Sequence, residues 1–485
     1  MSCFFVSYLY VSSLSVSSLS VSCLSAFSVS VSCLSVFSLS VSFSIYFTRF
    51  FVDNGWKTIF DLPWISENIR FTLGFDGLTG MLLLLTNLMV PVIVMAGIRD
   101  DENRVKLTAL TLFMQGALNG VFMAQDGLMF YIFWELALIP IYFITLTMSG
   151  ENAFKITLRF FLYTFIGSLA MLASLLYLFL HTADYSFSFE ALRAVELSRI
   201  ESIWVGAGIL LAFAVKIPLL PFHSWQADTY THSPAAGSML LSGIMLKMGL
   251  YGLLRWYLPL APESIEFFQP WIIGLSVAGV LYGALIAIRQ KDMKRLIAFS
   301  SLSHVALIAA GIFTLTAEGL EGGVLQMFVH GVNVIGLFLV VELIEKSTGT
   351  RLLGELGGLA KSNRSFMIFF MLLALGTVAV PFTNGFPGEF MLLKAVYMYN
   401  PNMALLAGLT IIFCAVYIFR MVQFSMFGEG KHEVSSLKWN EYVAFGILSV
   451  AVLLIGFVPQ LFVDVVHSSI LQIVTWVSEA KGVLS

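Results

Sequence analysis

Between residues 76 and 463 the chain is a succession of apolar runs long enough to cross the hydrocarbon core of a bilayer. They fall at roughly 76–98, 107–124, 127–148, 158–181, 202–222, 235–258, 270–288, 294–315, 322–344, 366–398, 402–422 and 442–463. A spanning helix needs about 20 mostly apolar residues, and none of these runs shows the sustained alternation of a barrel strand. A sheet edge open to lipid would leave its backbone groups unsatisfied, so the runs are expected to be helices. The fold class read from this pattern is an all-α polytopic membrane protein. Composition agrees: 58% of the 485 residues are hydrophobic and 11% charged, against about 25% charged in soluble domains. A net charge of −3, from 26 basic and 29 acidic residues, is too balanced to suggest a nucleic-acid partner. The partner that the composition does imply is the lipid bilayer.

The first 48 residues carry no charge and repeat a five-residue unit, VSSLS, VSSLS, VSCLS, AFSVS, VSCLS, VFSLS. A period of five fits neither helix nor strand, and the basic flank of a secretory signal is missing. We read 1–48 as a Ser-rich hydrophobic tract holding one or two helices, or as a translated simple repeat. Residues 49–75 read as an extracytoplasmic loop, 76–464 as the transmembrane domain and 465–485 as an amphipathic tail. Five loops concentrate lysine and arginine: Arg99, Arg104 and Lys106; Lys155 and Arg159; Arg289, Lys291, Lys294 and Arg295; Lys346, Arg351, Lys361 and Arg364; Arg420, Lys431 and Lys438. Counting helices alternately puts all five on one side, cytoplasmic by the positive-inside rule.

Four cysteines, Cys3, Cys23, Cys33 and Cys414, form no CxxC pair and no cluster with histidine, so no iron–sulfur, haem or zinc site is expected. No glycine-rich phosphate loop opens a helix, and the chain is expected to bind no nucleotide or other cofactor of its own.

Ionisable groups inside the spans carry the information about function, because an isolated charge at a helix centre costs about 2.5–3.5 kcal/mol on the insertion scale. Six stand out: Glu135 in FYIFWELALIPIYF, Lys216 in LLAFAVKIPLLPFHSW, Lys247 in LLSGIMLKMGLYGLL, His304 in AFSSLSHVALIAA, His330 in LQMFVHGVNVIGLF and Glu389 in VPFTNGFPGEFMLLKAVY. Any one of them could be a structural polar group satisfied by a neighbouring helix. Together they point to ion movement.

Two of the six lie beside helix breakers. Pro218 and Pro221 follow Lys216, and Pro381, Gly385, Pro387 and Gly388 precede Glu389. Breaks at membrane depth are tolerated where protein or a water-filled cavity satisfies the freed backbone, and in transporters they mark the ion path. Lys216 and Glu389 are 173 residues apart, and Glu135 and His304 are 169 apart. That spacing suggests two repeats, roughly 107–258 and 270–422, each of five helices, the second inverted. In poorly hydrated surroundings a lysine loses its proton more readily, and a nearby carboxylate opposes that loss. Glu135 and Lys216 are read as such a modulating pair, Lys247 as the central relay, His304 and His330 as bridging stations and Glu389 as the exit group. Moving a charge against 100 mV costs about 2.3 kcal/mol, and no energy source is visible in the chain. Partner subunits are expected to supply it.

The strings FWELALIPIYF, AFAVKIPLLPFHSWQADTYTHSPAAGSMLLSGIMLKMGLYGLLRW, QKDMKRLIAFSSLSH, FVHGVNVIGLF and GFPGEF resemble the antiporter-like subunits of proton-pumping NADH:quinone oxidoreductase and of multisubunit sodium/proton antiporters. The resemblance covers about residues 53–475. It implies about 14 transmembrane helices with two inverted five-helix repeats containing broken helices, and a half-channel in each repeat. It also implies Glu135 and Lys216 as the coupled pair, Lys247 as the central lysine and Glu389 as the terminal site. Glutamate rather than lysine at that site, DLPWI at 61–65 and FDGLTG at 75–80 are similar to M-type members. The implied setting is the inner membrane of a bacterium, with other complex I membrane subunits as partners, especially neighbouring antiporter-like ones. Flavin and iron–sulfur clusters would sit in those partners, with no quinone site here. The alternative that the resemblance leaves open is a subunit of a cation/proton antiporter. Nothing carries over to residues 1–48, where the family has two ordinary apolar helices.

Overall fold

The computed structural model describes residues 55–97, 102–147, 152–430 and 432–480; the helices expected within 1–48 lie outside the described residues. A β-hairpin, β1 (Lys57–Pro63) and β2 (Arg70–Phe75), comes first. The helices α1 (Gly77–Gly97), α2 (Arg104–Met123), α3 (Gly127–Leu146) and α4 (Ala153–His181) follow, then α5 (Arg199–Lys216) and the short α6 (Gln226–His232). Next are α7 (Ala235–Leu260), α8 (Pro262–Arg289), α9 (Met293–Ile312) and α10 (Ala317–Thr348). The last are α11 (Arg364–Thr377), α12 (Gly385–Tyr399), α13 (Pro401–Met426), α14 (Trp439–Phe457) and α15 (Gln460–Ala480).

Local sequence sets the helix ends. Asp76, Asp126, Asp292 and Thr316 accept from backbone amides of the first turns of α1, α3, α9 and α10, satisfying donors that have no partner inside the helix. Ser198 and Glu201 form a reciprocal capping box on α5. Gly349, in the left-handed region at φ 74°, ends α10, as helices commonly end.

Among the described residues eleven helices are long and apolar enough to cross a membrane. One of them, α15, lies across the ends of the others. His467 meets Glu321 in the first turns of α10 at 2.6 Å, Ser469 Oγ accepts from Leu78 N at the start of α1, Gln472 accepts from Trp56 N, and Glu479 meets Arg193 at 3.5 Å. Gly77 permits this crossing, since a β-carbon there would fall 1.7 Å from Val465 O. Among the described residues the other ten helices and the interrupted units α5–α6 and α11–α12 fall on the twelve apolar runs.

The described chain is helical as expected apart from the hairpin, which falls in the stretch read as a plain loop at 49–75. Its strands pair antiparallel from Lys57 with Phe75 to Pro63 with Arg70. Arg70 grips Asp61 through two bonds of 2.7 and 2.8 Å and, helped by Thr72, holds that carboxyl below the usual carboxylate range. Gln125 N donates to Thr72 O, and Phe189 N donates to Gln125 O, so the hairpin, the α2–α3 corner and the 182–199 loop share one face. The lysine- and arginine-rich loops share the other. Arg295 meets Asp228 at 3.0 Å, Arg351 meets Asp292 at 2.6 Å, Lys346 meets Glu441 at 3.9 Å, and Arg420 donates to the carbonyls of Ile288 and Gln290. We call these the hairpin face and the basic face.

In the most apolar stretches of α7 and α10 every residue is buried, against 39% in α4 and α13. Trp204, Trp271 and Leu405 point outward, as lipid-facing side chains do. The centre of the bundle is therefore built by α7, α9 and α10, and the chemistry lies there.

Candidate functional site

Both interrupted helices stop inside the bundle, at buried Lys216 and Thr377, and side chains take up backbone groups that the breaks release. After Lys216 the chain runs through Pro218 and Pro221 to α6; Trp225 Nε1 donates to Val215 O at 3.0 Å. At the second break Thr383 donates to the Leu375 and Val380 carbonyls, and Cys414 donates to Thr377 O at 3.4 Å. Asn384 and Asn333 exchange amide bonds of 2.9 and 3.2 Å. The break spans residues 378–384 with Pro381 inside it, whereas Gly385, Pro387 and Gly388 form the first turn of α12. Proline is tolerated there because first-turn amides have no partner to lose.

Four of the six sequence-derived residues stand in one buried line across α7, α10, α9 and α12. Lys247 Nζ is 2.8 Å from His330 Nδ1 and donates to Ser242 O at 2.7 Å. That carbonyl lies in a wide π turn, Leu241–Met245, which releases it from the ordinary helical ladder. The rings of His330 and His304 are 6.2 Å apart between centroids. His304 Nδ1 is 2.9 Å from Glu389 Oε1, and Gln326 reaches the same oxygen at 3.4 Å. Gly388 makes room for Gln326, whose Oε1 lies 2.4 Å from where a β-carbon would be. A cavity of about 20 Å³ is lined on one part by Ser300, Ser301, His304, Gln326, His330 and Asn333 and on the rest by apolar groups such as Ile297, Val334 and Leu337, with room for about one water. Lysine, imidazoles, carboxylate and a small cavity that reaches both histidines form a set able to pass a proton along the interior of the bundle.

Glu135 and Lys216 stand apart from this line. Lys216 is buried with its Nζ unpaired among the described residues, 5.4 Å from the Trp134 ring centroid. Half-buried Glu135 on α3 feels both Ser168 on α4 and Lys216, yet no ion pair within 4.0 Å joins the two among the described residues. They face each other without the direct contact that a pair suggests. The stem of Lys216 packs on α7, its Cβ 3.3 Å from a β-carbon position at Gly249, two residues from Lys247.

Sequence reasoning missed several polar groups. Cys414 Sγ and the Tyr417 hydroxyl each lie 3.5 Å from His304 Nε2. Arg255 and Asp76 form an ion pair with both side chains buried, and the guanidinium sits 4.2 Å over the Trp56 ring. Arg255 carried a signal, a charge within the 235–258 run. Cys414 and Tyr417 carried none, because a thiol and a phenol cost little in an apolar helix.

Residues 124–414 match the transmembrane family of NADH:quinone oxidoreductase and Mrp antiporter proteins. NADH-quinone oxidoreductase subunit M of Rickettsia conorii is 34% identical over 416 residues, 84% of this chain and 84% of that relative. The chain belongs to this family. The matched residues include both interrupted helices and all six ionisable groups. A chain of respiratory complex I from Thermus thermophilus with bound NADH superposes at a TM-score of 0.86 with 32% identity, covering 92% of this chain and 95% of that one. A chain of the Mrp complex from Dietzia shares the family fold at a TM-score of 0.83 and 17% identity, covering 96% of each.

Proposed function

We propose that this chain is a proton-translocating membrane subunit of an NADH:quinone oxidoreductase, of the M type, in the inner membrane of a bacterium. The observation that carries the reading is the line Lys247–His330–His304–Glu389, closed by contacts of 2.8 and 2.9 Å at its ends and flanked by a small cavity lined by both histidines. Family membership supports the same reading. In it, Lys216 and Glu135 set the charge near Lys247, a proton reaching Lys247 is handed through the two imidazoles, and Glu389 releases it. Neutral imidazole accepts at one nitrogen and donates from the other, which suits the middle positions. The chain is a non-redox subunit, and its flavin and iron–sulfur chemistry is assigned to partner subunits beside neighbouring antiporter-like ones. A cation/proton antiporter subunit is the second reading, favoured by the fold shared with the Mrp chain.

The test is Glu135→Gln in the assembled complex in vesicles, which keeps shape and removes charge. NADH oxidation and proton uptake should fall together, with Lys216→Ala similar and the double variant no worse than either single one, because members of one unit are non-additive. Normal uptake per assembled complex in Glu135→Gln would refute the mechanism. Uptake driven by a sodium gradient and indifferent to NADH would favour the antiporter.

A further inference from the structure

His304 presents its two ring nitrogens to different surroundings. Nδ1 faces Glu389 at 2.9 Å. Nε2 faces the Tyr417 hydroxyl and Cys414 Sγ, each at 3.5 Å. The thiol already donates to Thr377 O, so it is not free to give Nε2 a proton. The phenol is: its oxygen accepts from Ser300 Oγ at 3.0 Å, leaving its own hydrogen available for the ring. Ser300 and His304 line the same cavity, and Tyr417 and Ser300 are themselves buried.

The two sides of the ring also differ in depth. Ser300 lies one turn before His304 on α9, which starts at the basic face, and Tyr417 lies in the half of α13 that leads to the basic face. Glu389 follows the first turn of α12, whose far end leads towards the hairpin face. An imidazole that takes a proton at Nε2 and releases one from Nδ1 therefore moves it from the basic side towards the hairpin side.

We propose that Ser300 and Tyr417 form the arm that delivers protons to His304, separately from the line through Lys247 and His330. The Tyr417 O–H bond breaks as an Nε2–H bond forms. The phenol oxygen recovers a proton from Ser300, Ser300 recovers one from cavity water, and that water takes its replacement from the aqueous phase at the basic face. The Nδ1–H bond then breaks as the Glu389 carboxylate takes that proton. One proton advances, no electrons move, and Tyr417 and Ser300 finish as they began; His304 is left with its hydrogen on Nε2 and accepts again once that hydrogen has returned to Nδ1. The inference rests on the proton-translocating reading and adds a second supply to the same histidine.

The experiment uses the assembled complex in vesicles, with NADH-driven proton uptake normalised to complex content. Tyr417→Phe removes one oxygen and Ser300→Ala another. Each should lower uptake at least about tenfold, in line with the loss of a proton-transfer group, and the double variant should be no lower than Tyr417→Phe. Ser300→Thr, which keeps the hydroxyl, should recover at least fivefold over Ser300→Ala. Turnover of Tyr417→Phe should carry a larger solvent deuterium isotope effect than wild type, a change that lost packing would not produce. Tyr417→Phe within twofold of wild type while Glu389→Gln is inactive overturns the arm and leaves the function standing. An unaffected Glu389→Gln takes Glu389 off the path and overturns the arm with it, whereas normal uptake in Glu135→Gln overturns the proton-translocating mechanism on which the arm rests. If Tyr417→Phe does not assemble, the serine pair decides: equal uptake in Ser300→Ala and Ser300→Thr rejects the arm.

Discussion

Removing the charge of Asp76 should loosen the hairpin face by about 3 kcal/mol. Asp76 and Arg255 are 1% and 0% exposed, and breaking such a buried pair from one side costs about 3–5 kcal/mol, because the surviving charge is left without its partner. Arg255 has little else to rely on. Its Nε and Nη1 have no hydrogen-bond partner among the described residues, and the Trp56 ring 4.2 Å from its Cζ offsets about 0.5–2 kcal/mol, which sets the expectation at the low end. Asp76→Asn retains an oxygen for Thr79 N, now accepted at 2.9 Å, so the cap survives; Asp76→Ala loses it and about 1 kcal/mol more. At about 1.4 kcal/mol per tenfold, local opening should become more than a hundredfold more frequent. Hydrogen exchange of peptides spanning 74–82 and 250–258, measured in the assembled complex, reads this directly. Arg255→Met added to Asp76→Asn should restore much of the protection, since an apolar side chain carries no unpaired charge. Unchanged exchange in Asp76→Asn, or faster exchange in the double variant than in the single one, would refute the reasoning.

Glu389→Lys should retain part of the proton uptake, because lysine still exchanges protons, whereas Glu389→Ala should abolish it; near-normal uptake in both variants, measured in vesicles, would take Glu389 off the path. Cysteines placed at 193 and 291 should react with a membrane-impermeant reagent from opposite sides, position 193 with the hairpin face and position 291 with the basic face. Equal labelling from one side would overturn the topology.

The spans were legible because each is a long apolar run, and the breaks because Pro218, Pro221 and Pro381 stand beside buried charges. The hairpin was not. Trp64–Ile69 between its strands has none of the two-residue turn signatures, and its strands are fixed by distant partners such as Gln125. The six ionisable residues stood out by their cost in an apolar setting, but their grouping did not. Lys247 and His330 are 83 residues apart and meet only through the packing of α7 on α10, while Lys216 and Glu135, read as a pair, stop short of contact. Tyr417 escaped notice because a phenol in an apolar helix looks like any other aromatic.

The π turns of α7 give that helix a fixed phase. Each one, Leu241–Met245 and Leu253–Tyr257, takes up about one residue more than an ordinary turn, and one residue of α-helix is worth about 100° of rotation. Lys247 comes after the first and Arg255 lies within the second, so the compass bearing of each charge depends on how many residues precede it as much as on which residues they are. A helical wheel drawn at constant pitch misplaces both. The bearing that aims Lys247 at His330 and Arg255 at Asp76 is thus stored in chain length and in the two turns staying wide, apart from the identity of either charge.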